Sequence, residues 1–438
     1  MKQSKVDALI IGSGVGGLSV AARLAEKGMQ VRLIEKFSYL GGRFSTKIIK
    51  GFKVSTGAIM VPMGKGCAFQ ETFDLINAPF NVKPPQAGFR YRLSHGDYEV
   101  PPGGGGGLAG MLQFAMGGKE QVTPLLYAFK RASSWLAPSD TISFKEWLSQ
   151  YSDHPEMHRM FQGFCGAFIG IGSDEVPAGE FFRFLRAMGR GNQYGIAANG
   201  NIHLMKSLAN GIKEKGGRVD TQTACKGILV EKGRAHGALI TQNDIEEKVE
   251  ADYVISNAGP EMTIRLAGGN HFEESYLALL KTNPYETPVF HITIFSKTPL
   301  DEFTGIYNFG NTKNLIFMEC PTLTCPELAP QGGHITTTFS IADSSSGPLK
   351  KKETIKNILA EIKENFSAFE NEPGSVVATV HHGQWPAMRR WPGYPMPTKT
   401  PVEQLYNVGD GCMPLGTVGI EACALSAKLV VQQIEGEK

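Results

Sequence analysis

The N-terminal region of the chain alternates strand-like and helix-like patterns of apolar residues. Residues 6–11 form a short apolar run, which predicts a buried strand. After a glycine-rich loop, the apolar positions of residues 18–27 recur at helical spacing, and Gly28 is suited to end that helix. A second apolar run begins at Val31. Because strand, helix and strand alternate over so short a distance, we expect a parallel sheet.

The rest of the chain has two further patterns. Helical patterns rich in aromatic residues are found within residues 125–188, whereas short strand-like runs dominate residues 285–385. Strand and helix patterns like those of the N-terminus return near residues 200–265 and 395–438. We therefore predict an α/β fold in which a discontinuous nucleotide-binding domain carries an inserted α+β substrate domain, partly helical and partly a mixed or antiparallel sheet. The predicted boundaries are residues 1–70, 200–265 and 395–438 for the first domain and residues 71–199 and 266–394 for the second.

Composition narrows the class of protein. The chain has 438 residues, and its 44 Lys and Arg nearly balance its 42 Asp and Glu, for a net charge of +2. This leaves no basic excess for a phosphate backbone, so we expect no nucleic-acid partner. The seven cysteines are scattered without a CxxC pair. This pattern predicts free thiols, a cytoplasmic protein and no metal site.

The sequence predicts no membrane-spanning helix, because no apolar stretch approaches the ~20 residues that a span needs. The uncharged residues 8–22 resemble a secretory signal, but glycines interrupt them and Asp7 precedes them, so we interpret them as strand and loop. Lys130, Arg131 and Trp135 could lie on a helix that touches a membrane surface. An ordinary amphipathic face is the favoured alternative.

Two GxGxxG motifs compete for the role of a phosphate-binding turn, and with 52 glycines in the chain neither match is informative alone. The first follows a predicted strand and opens a helix, so its backbone can approach a pyrophosphate, and Glu35 lies about 20 residues further on, where a carboxylate can bind ribose hydroxyls. The second, at residues 105–110, follows two prolines and is interpreted as a flexible loop. The first motif therefore predicts a dinucleotide site formed by Gly12, Ser13, Gly14, Val15, Gly16, Gly17 and Glu35.

The residues after Glu35 resemble the superfamily of flavin-containing amine oxidases and phytoene desaturases, most closely its phytoene desaturase-like members. The resemblance rests on Gly41-Gly42-Arg43 after the acidic residue, and on residues 216–230, 255–259 and 405–422 in the expected order. It implies a Rossmann-like FAD-binding domain, in which Arg43 contacts the cofactor phosphates and the helix beginning near Gly419 points its positive end at the flavin. The cofactor-binding residues that it adds are Lys36, Gly41, Gly42, Arg43, Gly57, Ala58, Cys225, Asn257, Gly409, Asp410, Gly419 and Ile420. For Cys225 an ordinary packed thiol is an equal alternative.

The resemblance also implies the activity. We expect an FAD-dependent oxidoreductase, a dehydrogenase or desaturase, that oxidises a C–C bond of an apolar, isoprenoid-like substrate by hydride transfer to flavin N5. An unidentified electron acceptor would reoxidise the flavin. The alternatives are an amine oxidase or protoporphyrinogen oxidase type of flavin oxidase, an isomerase or saturase that uses reduced FAD, and a non-redox prenyl-binding carrier of the same fold.

Residues for substrate binding and proton transfer are less clearly marked, and no catalytic base is assigned. His381, His382 and Trp385 could provide a proton relay or an aromatic wall, although a structural role is favoured for either histidine. Arg389 and Arg390 could bind a carboxylate, but surface charges are the favoured interpretation. An apolar pocket is expected from phenylalanines that fit core packing equally well, namely Phe161, Phe164, Phe168, Phe181, Phe182 and Phe184.

Overall fold

The computed structural model describes residues 2–100, 107–134, 139–188, 193–282, 285–371 and 374–437. Within these residues the strands form two seven-stranded sheets, a three-stranded sheet and a two-stranded sheet. The strands are β1 Lys2–Ile11, β2 Val31–Ile34, β3 Thr46–Ile49, β4 Phe52–Ser55, β5 Val61–Met63, β6 Val82–Lys83, β7 Phe89–Leu93, β8 Gly96–Glu99, β9 Gln193–Ala197, β10 Arg218–Asp220, β11 Thr223–Glu231, β12 Arg234–Gln242, β13 Ile245–Ser256, β14 Val289–Ser296, β15 Ile306–Phe309, β16 Phe317–Glu319, β17 His334–Ile341, β18 Ser375–His381 and β19 Leu405–Asn407.

Some helices pack against the first sheet. Others, which lie between strands of the two large sheets along the chain, form a separate helical layer. They are α1 Val15–Glu26, α2 Ala68–Leu75, α3 Gly107–Met116, α4 Lys119–Ser134, α5 Phe144–Ser149, α6 Pro155–Phe164, α7 Ala178–Met188, α8 Asn201–Glu214, α9 Pro260–Ala267, α10 Glu274–Thr282, α11 Pro321–Thr324, α12 Lys351–Asn365, α13 Ser367–Asn371 and α14 Gly419–Gly436. A π-helical turn, Cys165–Ile169, continues α6. This mixture of helices with parallel and antiparallel strands confirms the predicted α/β fold class.

The first large sheet has the strand order β10-β2-β1-β13-β12-β11, and β19 pairs with β13. The strands β10, β2, β1, β13 and β19 are parallel, whereas β12 and β11 are antiparallel additions. Ile11 lies level with Ile34 on one side and Ser256 on the other. The residues that follow these three strands therefore meet at one edge of the sheet, which is where open parallel sheets bind ligands.

The second large sheet has the order β18-β14-β17-β16-β15-β7-β8. All of β14 is buried, because each of its faces is covered. Phe290 and Ile292 pack against α12, and the alternate residues His291 and Thr293 face the other way. The helices α3 to α7 surround a separate aromatic core, in which Phe144 and Phe181 stack.

Three predictions made from the sequence have direct outcomes here. The loop interpretation of the second glycine motif is wrong for residues 107–110, which form the first turn of α3, while residues 105–106 lie outside the described part. All seven cysteines are free. Across the described residues, we find no helix with the length and apolar character needed to cross a membrane.

Candidate functional site

A large cavity extends from the carboxyl edge of the first sheet into the helical layer. Its volume is about 1680 Å³. Fifteen of the predicted cofactor-binding residues line it, namely Gly12, Gly14, Val15, Glu35, Lys36, Gly41, Gly42, Arg43, Gly57, Ala58, Cys225, Asn257, Asp410, Gly419 and Ile420. Ser13, Gly16, Gly17 and Gly409 are not among its lining residues. They support the lining from behind, as the next contacts show.

The glycine turn between β1 and α1 forms the floor of this cavity. Gly12 has a φ of +98°, a conformation that glycine adopts readily, and a Cβ at Gly17 would collide with the carbonyl of Gly12. A Cβ at Gly16 would come within 2.8 Å of the backbone nitrogen of Gly409. The glycines thus allow α1 to begin directly against the strand ends. The helix N-terminus with its unpaired N–H groups faces the cavity and suits a pyrophosphate.

Asn257, which follows β13, closes the turn from the opposite side. Its side-chain amide accepts a hydrogen bond from the N–H of Gly14 at 3.1 Å and donates one to the carbonyl of Val408 at 3.2 Å. Its backbone N–H donates to the carbonyl of Ile11 at 2.8 Å. A side chain at Gly14 would collide with this amide. The turn therefore has no space for anything but backbone at Gly14.

Glu35 stands at the end of β2 with its carboxylate already oriented. It accepts hydrogen bonds from the backbone N–H of Ser13 at 2.8 Å, the hydroxyl of Ser13 at 2.7 Å and the N–H of Phe37 at 2.9 Å. An ionised carboxylate has about four acceptor positions, so one remains for a ribose hydroxyl. Ser13 therefore orients the carboxylate that is predicted to bind ribose and does not itself line the cavity.

Arg43 and Asp410 form a bidentate ion pair in the wall of the cavity, with N–O distances of 2.6 and 2.7 Å. Arg43 also donates to the carbonyls of Pro386 and Ala387. Burial opposes ionisation of Asp410, but Arg43 outweighs it and lowers the pKa of this carboxyl below its ordinary value. Both groups are therefore charged, and the carboxylate fixes the guanidinium in place.

Arg389 adds a second cation beside this pair, and here the sequence interpretation as a surface charge is wrong. Its backbone N–H donates to Asp410 at 2.9 Å, and its side chain lines the cavity next to Gly259. Burial lowers the pKa of Arg389, and the nearby Arg43 lowers it further. Within the described part of the chain its guanidinium forms no salt bridge. Arg43 and Arg389 thus place two guanidinium groups in this wall of the cavity, where they can attract an anionic ligand.

Arg390 has an unrelated role, and the surface-charge interpretation is wrong for it too. The residue is 2% exposed, and its guanidinium donates to the carbonyls of Leu279 and Leu280 at 3.0 Å each. It thereby satisfies carbonyls in the last turn of α10. The two adjacent arginines therefore have different roles and different surroundings, and no local sequence signal distinguishes them.

The remaining cofactor-side residues come from loops held by hydrogen bonds. The carbonyl of Ala58 accepts from the hydroxyl of Ser55 at 2.7 Å and from the amide of Asn201 at 2.8 Å. Gly409 donates its N–H to the hydroxyl of Ser426 on α14 at 2.9 Å. Burial raises the pKa of the Cys225 thiol to about 12, so that this side chain is neutral where it lines the cavity.

The far arm of the cavity is apolar. It is walled by side chains of α4, α6, α7 and the π-helical turn, so the predicted phenylalanines serve both as core and as lining. The aromatic and aliphatic residues of this arm include Leu108, Met111, Phe129, Phe161, Phe164, Phe168, Phe181, Phe184, Leu185 and Met188. Phe182, which was predicted with them, does not line the cavity and packs in the aromatic core.

Of the three residues predicted to form a proton relay or an aromatic wall, two line the cavity and one does not. His381 is 6% exposed, lines the cavity and contacts a second buried histidine, His291, which sequence reasoning missed. Trp385 also lines the cavity, and its indole N–H donates to the carbonyl of Thr56 at 3.2 Å. His382 lies outside the cavity wall and contacts the ammonium group of Lys351. Only the first two can therefore contact a ligand in the cavity.

A glycine turn, an oriented carboxylate and an apolar arm within one cavity define a dinucleotide-dependent oxidoreductase. The chain matches the family model of flavin containing amine oxidoreductases over residues 15–435, and it belongs to this family. It is 24% identical to a chloroplastic prolycopene isomerase of Daucus carota, over 100% of this chain and 81% of that protein. It is also 24% identical to a zeta-carotene-forming phytoene desaturase of Myxococcus xanthus, over 74% of this chain and 70% of that protein.

Among solved structures, an oxidoreductase from Methanosarcina mazei is similar, with a TM-score of 0.82 and 26% sequence identity over 98% of this chain and 100% of that chain. These findings confirm the predicted superfamily, the oxidoreductase class and FAD as cofactor. The cavity fits FAD: the glycine turn suits its pyrophosphate, Glu35 suits its ribose, and Arg43 and Arg389 supply positive charge. When bound, FAD supplies a two-electron acceptor.

Proposed function

We propose that this FAD-dependent oxidoreductase dehydrogenates a C–C bond of an apolar, isoprenoid-like substrate. The observation that carries the proposal is the distribution of charge in the cavity. Its charged side chains lie around the cofactor segments, except for Glu99, which is ion-paired with Arg90. A substrate amine or carboxylate in the apolar arm would be desolvated without a free partner, whereas a hydrocarbon chain needs none.

The residues of this chain would act on such a substrate by position and by excluding water. The aromatic side chains of α6 and α7 give a hydrocarbon chain a close-packed wall. Trp385 also lines the cavity, and its hydrogen bond to the carbonyl of Thr56 fixes the orientation of its indole ring. Binding in one orientation would bring a chosen C–H bond to the cofactor, which is the contribution that such a reaction needs most from the protein.

Isomerisation or saturation with reduced FAD is the second candidate, and the match to a prolycopene isomerase over the full chain supports it. It would use the same apolar arm. A non-redox prenyl carrier is less well supported, because the oriented Glu35 and the guanidinium of Arg389 in the cavity wall have no use in a carrier. An amine oxidase is less well supported for the charge reason given above.

The test is anaerobic mixing of the FAD-loaded protein with a panel of linear polyunsaturated isoprenoids, saturated isoprenoids and amines. We expect isoprenoids to bleach the flavin absorbance at about 450 nm, with a product that has lost two hydrogens. Isomerised product without bleaching, seen only after prior reduction, would favour the second candidate. Bleaching by amines alone would overturn the proposal.

A variant in the apolar arm sharpens this test. Ala167 lines the cavity on the π-helical turn, and Ala167→Trp would fill part of the arm. Bleaching by an isoprenoid should slow while bleaching by a chemical reductant stays unchanged. The matched control is Ala278→Trp, since Ala278 is exposed on α10. Equal slowing with both reductants would indicate general damage to the fold.

Contact with a membrane surface remains a proposal. Tyr127 is 64% exposed on α4, and Lys130 and Arg131 are exposed on the same helix, while Trp135 lies outside the described residues. Salt-sensitive binding to vesicles that contain anionic lipid would support it. Equal recovery of the protein with and without vesicles would refute it.

A further inference from the structure

Two histidines form the partition between the large cavity and a second, small one. His381 lines the large cavity, and His291 lines a separate cavity of about 30 Å³. The two side chains are diagonal neighbours on one face of β18 and β14, since His381 pairs with Val289. The Nε2 of His381 lies 3.5 Å from the Nδ1 of His291. Ile59 lines both cavities, so they are adjacent at this point.

The small cavity is suited to water. A buried water needs roughly 10–15 Å³ and two to four polar partners. The polar side chains that line the cavity are Thr46, Lys53, Ser55, Asn201, His291, Thr293 and Thr337. Lys53 is half-buried and donates to Asn199, which places this end of the cavity near the protein surface.

The two imidazoles have the protonation state that a proton relay requires. Burial lowers the pKa of His291 to about 3, with further lowering by His381 and Lys47. Burial lowers the pKa of His381 to about 4, with contributions from Lys47 and Arg43. Both rings are therefore neutral at pH 7, and a neutral ring has one N–H to donate and one nitrogen that accepts.

The contacts of the pair continue into the second sheet. The Nε2 of His291 lies 2.5 Å from the hydroxyl oxygen of Thr337 on β17. Beyond Thr337, in register on β16, lies the buried carboxyl of Glu319. Lys47 on β3 and Lys53 on β4 are the cations of the strands that pack against this face. On the side away from the substrate cavity, the pair therefore contacts the hydroxyl of Thr337, which also lines the small cavity.

We propose that His381 and His291 carry protons between the substrate cavity and the small water-holding cavity. The inference rests on the FAD-dependent chemistry of the proposed function and not on the identity of the substrate. In a dehydrogenation one hydrogen would leave the substrate as hydride, with both electrons, and bound FAD would supply the two-electron acceptor. The other leaves as a proton, which binds the free nitrogen of His381. The proton on its opposite nitrogen passes to His291, and His291 releases one to water.

The experiment follows proton uptake without any substrate. The FAD-loaded protein is mixed anaerobically with reduced methyl viologen, which delivers electrons without protons, in weak buffer with a pH-indicator dye. Reduction of FAD by two electrons requires a proton from solvent, which His291 and His381 would deliver to the large cavity by the same steps in reverse. In the wild type we expect proton uptake to keep pace with electron uptake. In His291→Phe and His381→Phe we expect proton uptake to slow about 100-fold, with no further slowing in the double variant.

Three measurements separate a relay from a structural role. His271 is exposed, and His271→Phe should leave proton uptake unchanged. Added imidazole should restore the rate in His291→Ala, because it can occupy the space that the missing ring leaves. His291→Gln keeps a hydrogen-bonding group toward Thr337 but cannot relay, so it serves if the Phe variant loses FAD. Wild-type proton uptake in the FAD-loaded histidine variants would overturn the proposal, whatever the substrate panel gives.

Discussion

Replacing Glu319 by glutamine tests whether this carboxyl is neutral in the folded protein. The residue is 1% exposed on β16, and neither carboxylate oxygen has a hydrogen-bond partner among the described residues. Burial raises its pKa to about 8, from an ordinary value of 4.5. A protonated carboxyl avoids the large cost of burying an unpaired charge. Glu319→Gln imitates that neutral form at every pH.

The expected effect follows from proton linkage. Between pH 4.5 and about 8 the folded protein keeps a proton that the unfolded chain has lost, so stability falls as pH rises through this window. At ~1.4 kcal/mol per pH unit the total is about 5 kcal/mol. An unfolding entropy of roughly 2.1 cal/mol/K per residue, over 438 residues, gives about 0.9 kcal/mol/K. The loss therefore corresponds to a decrease of about 5 °C in Tm.

The assay is scanning calorimetry of the FAD-loaded wild type and the variant between pH 4 and pH 9. We expect the Tm difference between Glu319→Gln and the wild type to increase by about 5 °C in favour of the variant as pH rises across this range. All other titrating groups are shared by the two proteins. Glu302 is exposed, so Glu302→Gln should follow the wild-type curve. Parallel Tm curves for the wild type and Glu319→Gln would refute the reasoning, since they would show that Glu319 ionises in the folded protein without penalty.

Three other substitutions test the cofactor site and its support. Gly14→Val should weaken FAD binding at least about tenfold in a fluorescence titration, because its side chain would collide with Asn257; unchanged affinity would place the site elsewhere. Asp410→Asn should lower stability by roughly 3 kcal/mol, measured by thermal unfolding, because it leaves Arg43 without its counter-ion. Arg390→Met should cost roughly 3 kcal/mol in the same assay, because two carbonyls of α10 lose a charged donor; an unchanged Tm would contradict the assigned role.

Much of the cofactor side could be predicted because it follows from local patterns. An apolar strand that leads into a glycine turn and a helix specifies its own geometry over about 30 residues. Parallel strands then place the ends of β1, β2 and β13 at one edge, and this brings Gly12, Glu35 and Asn257 to the same cavity. The domain boundaries remain a prediction.

The rest of the site depends on contacts between residues far apart in the chain. His291 and His381 are brought together by the antiparallel register of β14 and β18, which no periodicity in the sequence specifies. Arg389 and Arg390 differ in role because one side chain faces the cavity and the other the end of α10. Residues 107–110 extend a helix although their glycines suggest a loop. Tertiary packing overrides local preference in each case.

The cofactor site and the histidine pair share an electrostatic link. Besides burial and Lys47, the positive charge of Arg43 lowers the pKa of His381. An anionic pyrophosphate next to Arg43 and Arg389 would offset part of that positive field, and the pKa of His381 would then rise toward its ordinary value. The imidazole would accept a proton most readily when FAD is bound, which is the only state in which a dehydrogenation releases one. Arg43 and Arg389, which favour binding of the cofactor, would therefore also make proton transfer through His381 depend on bound FAD.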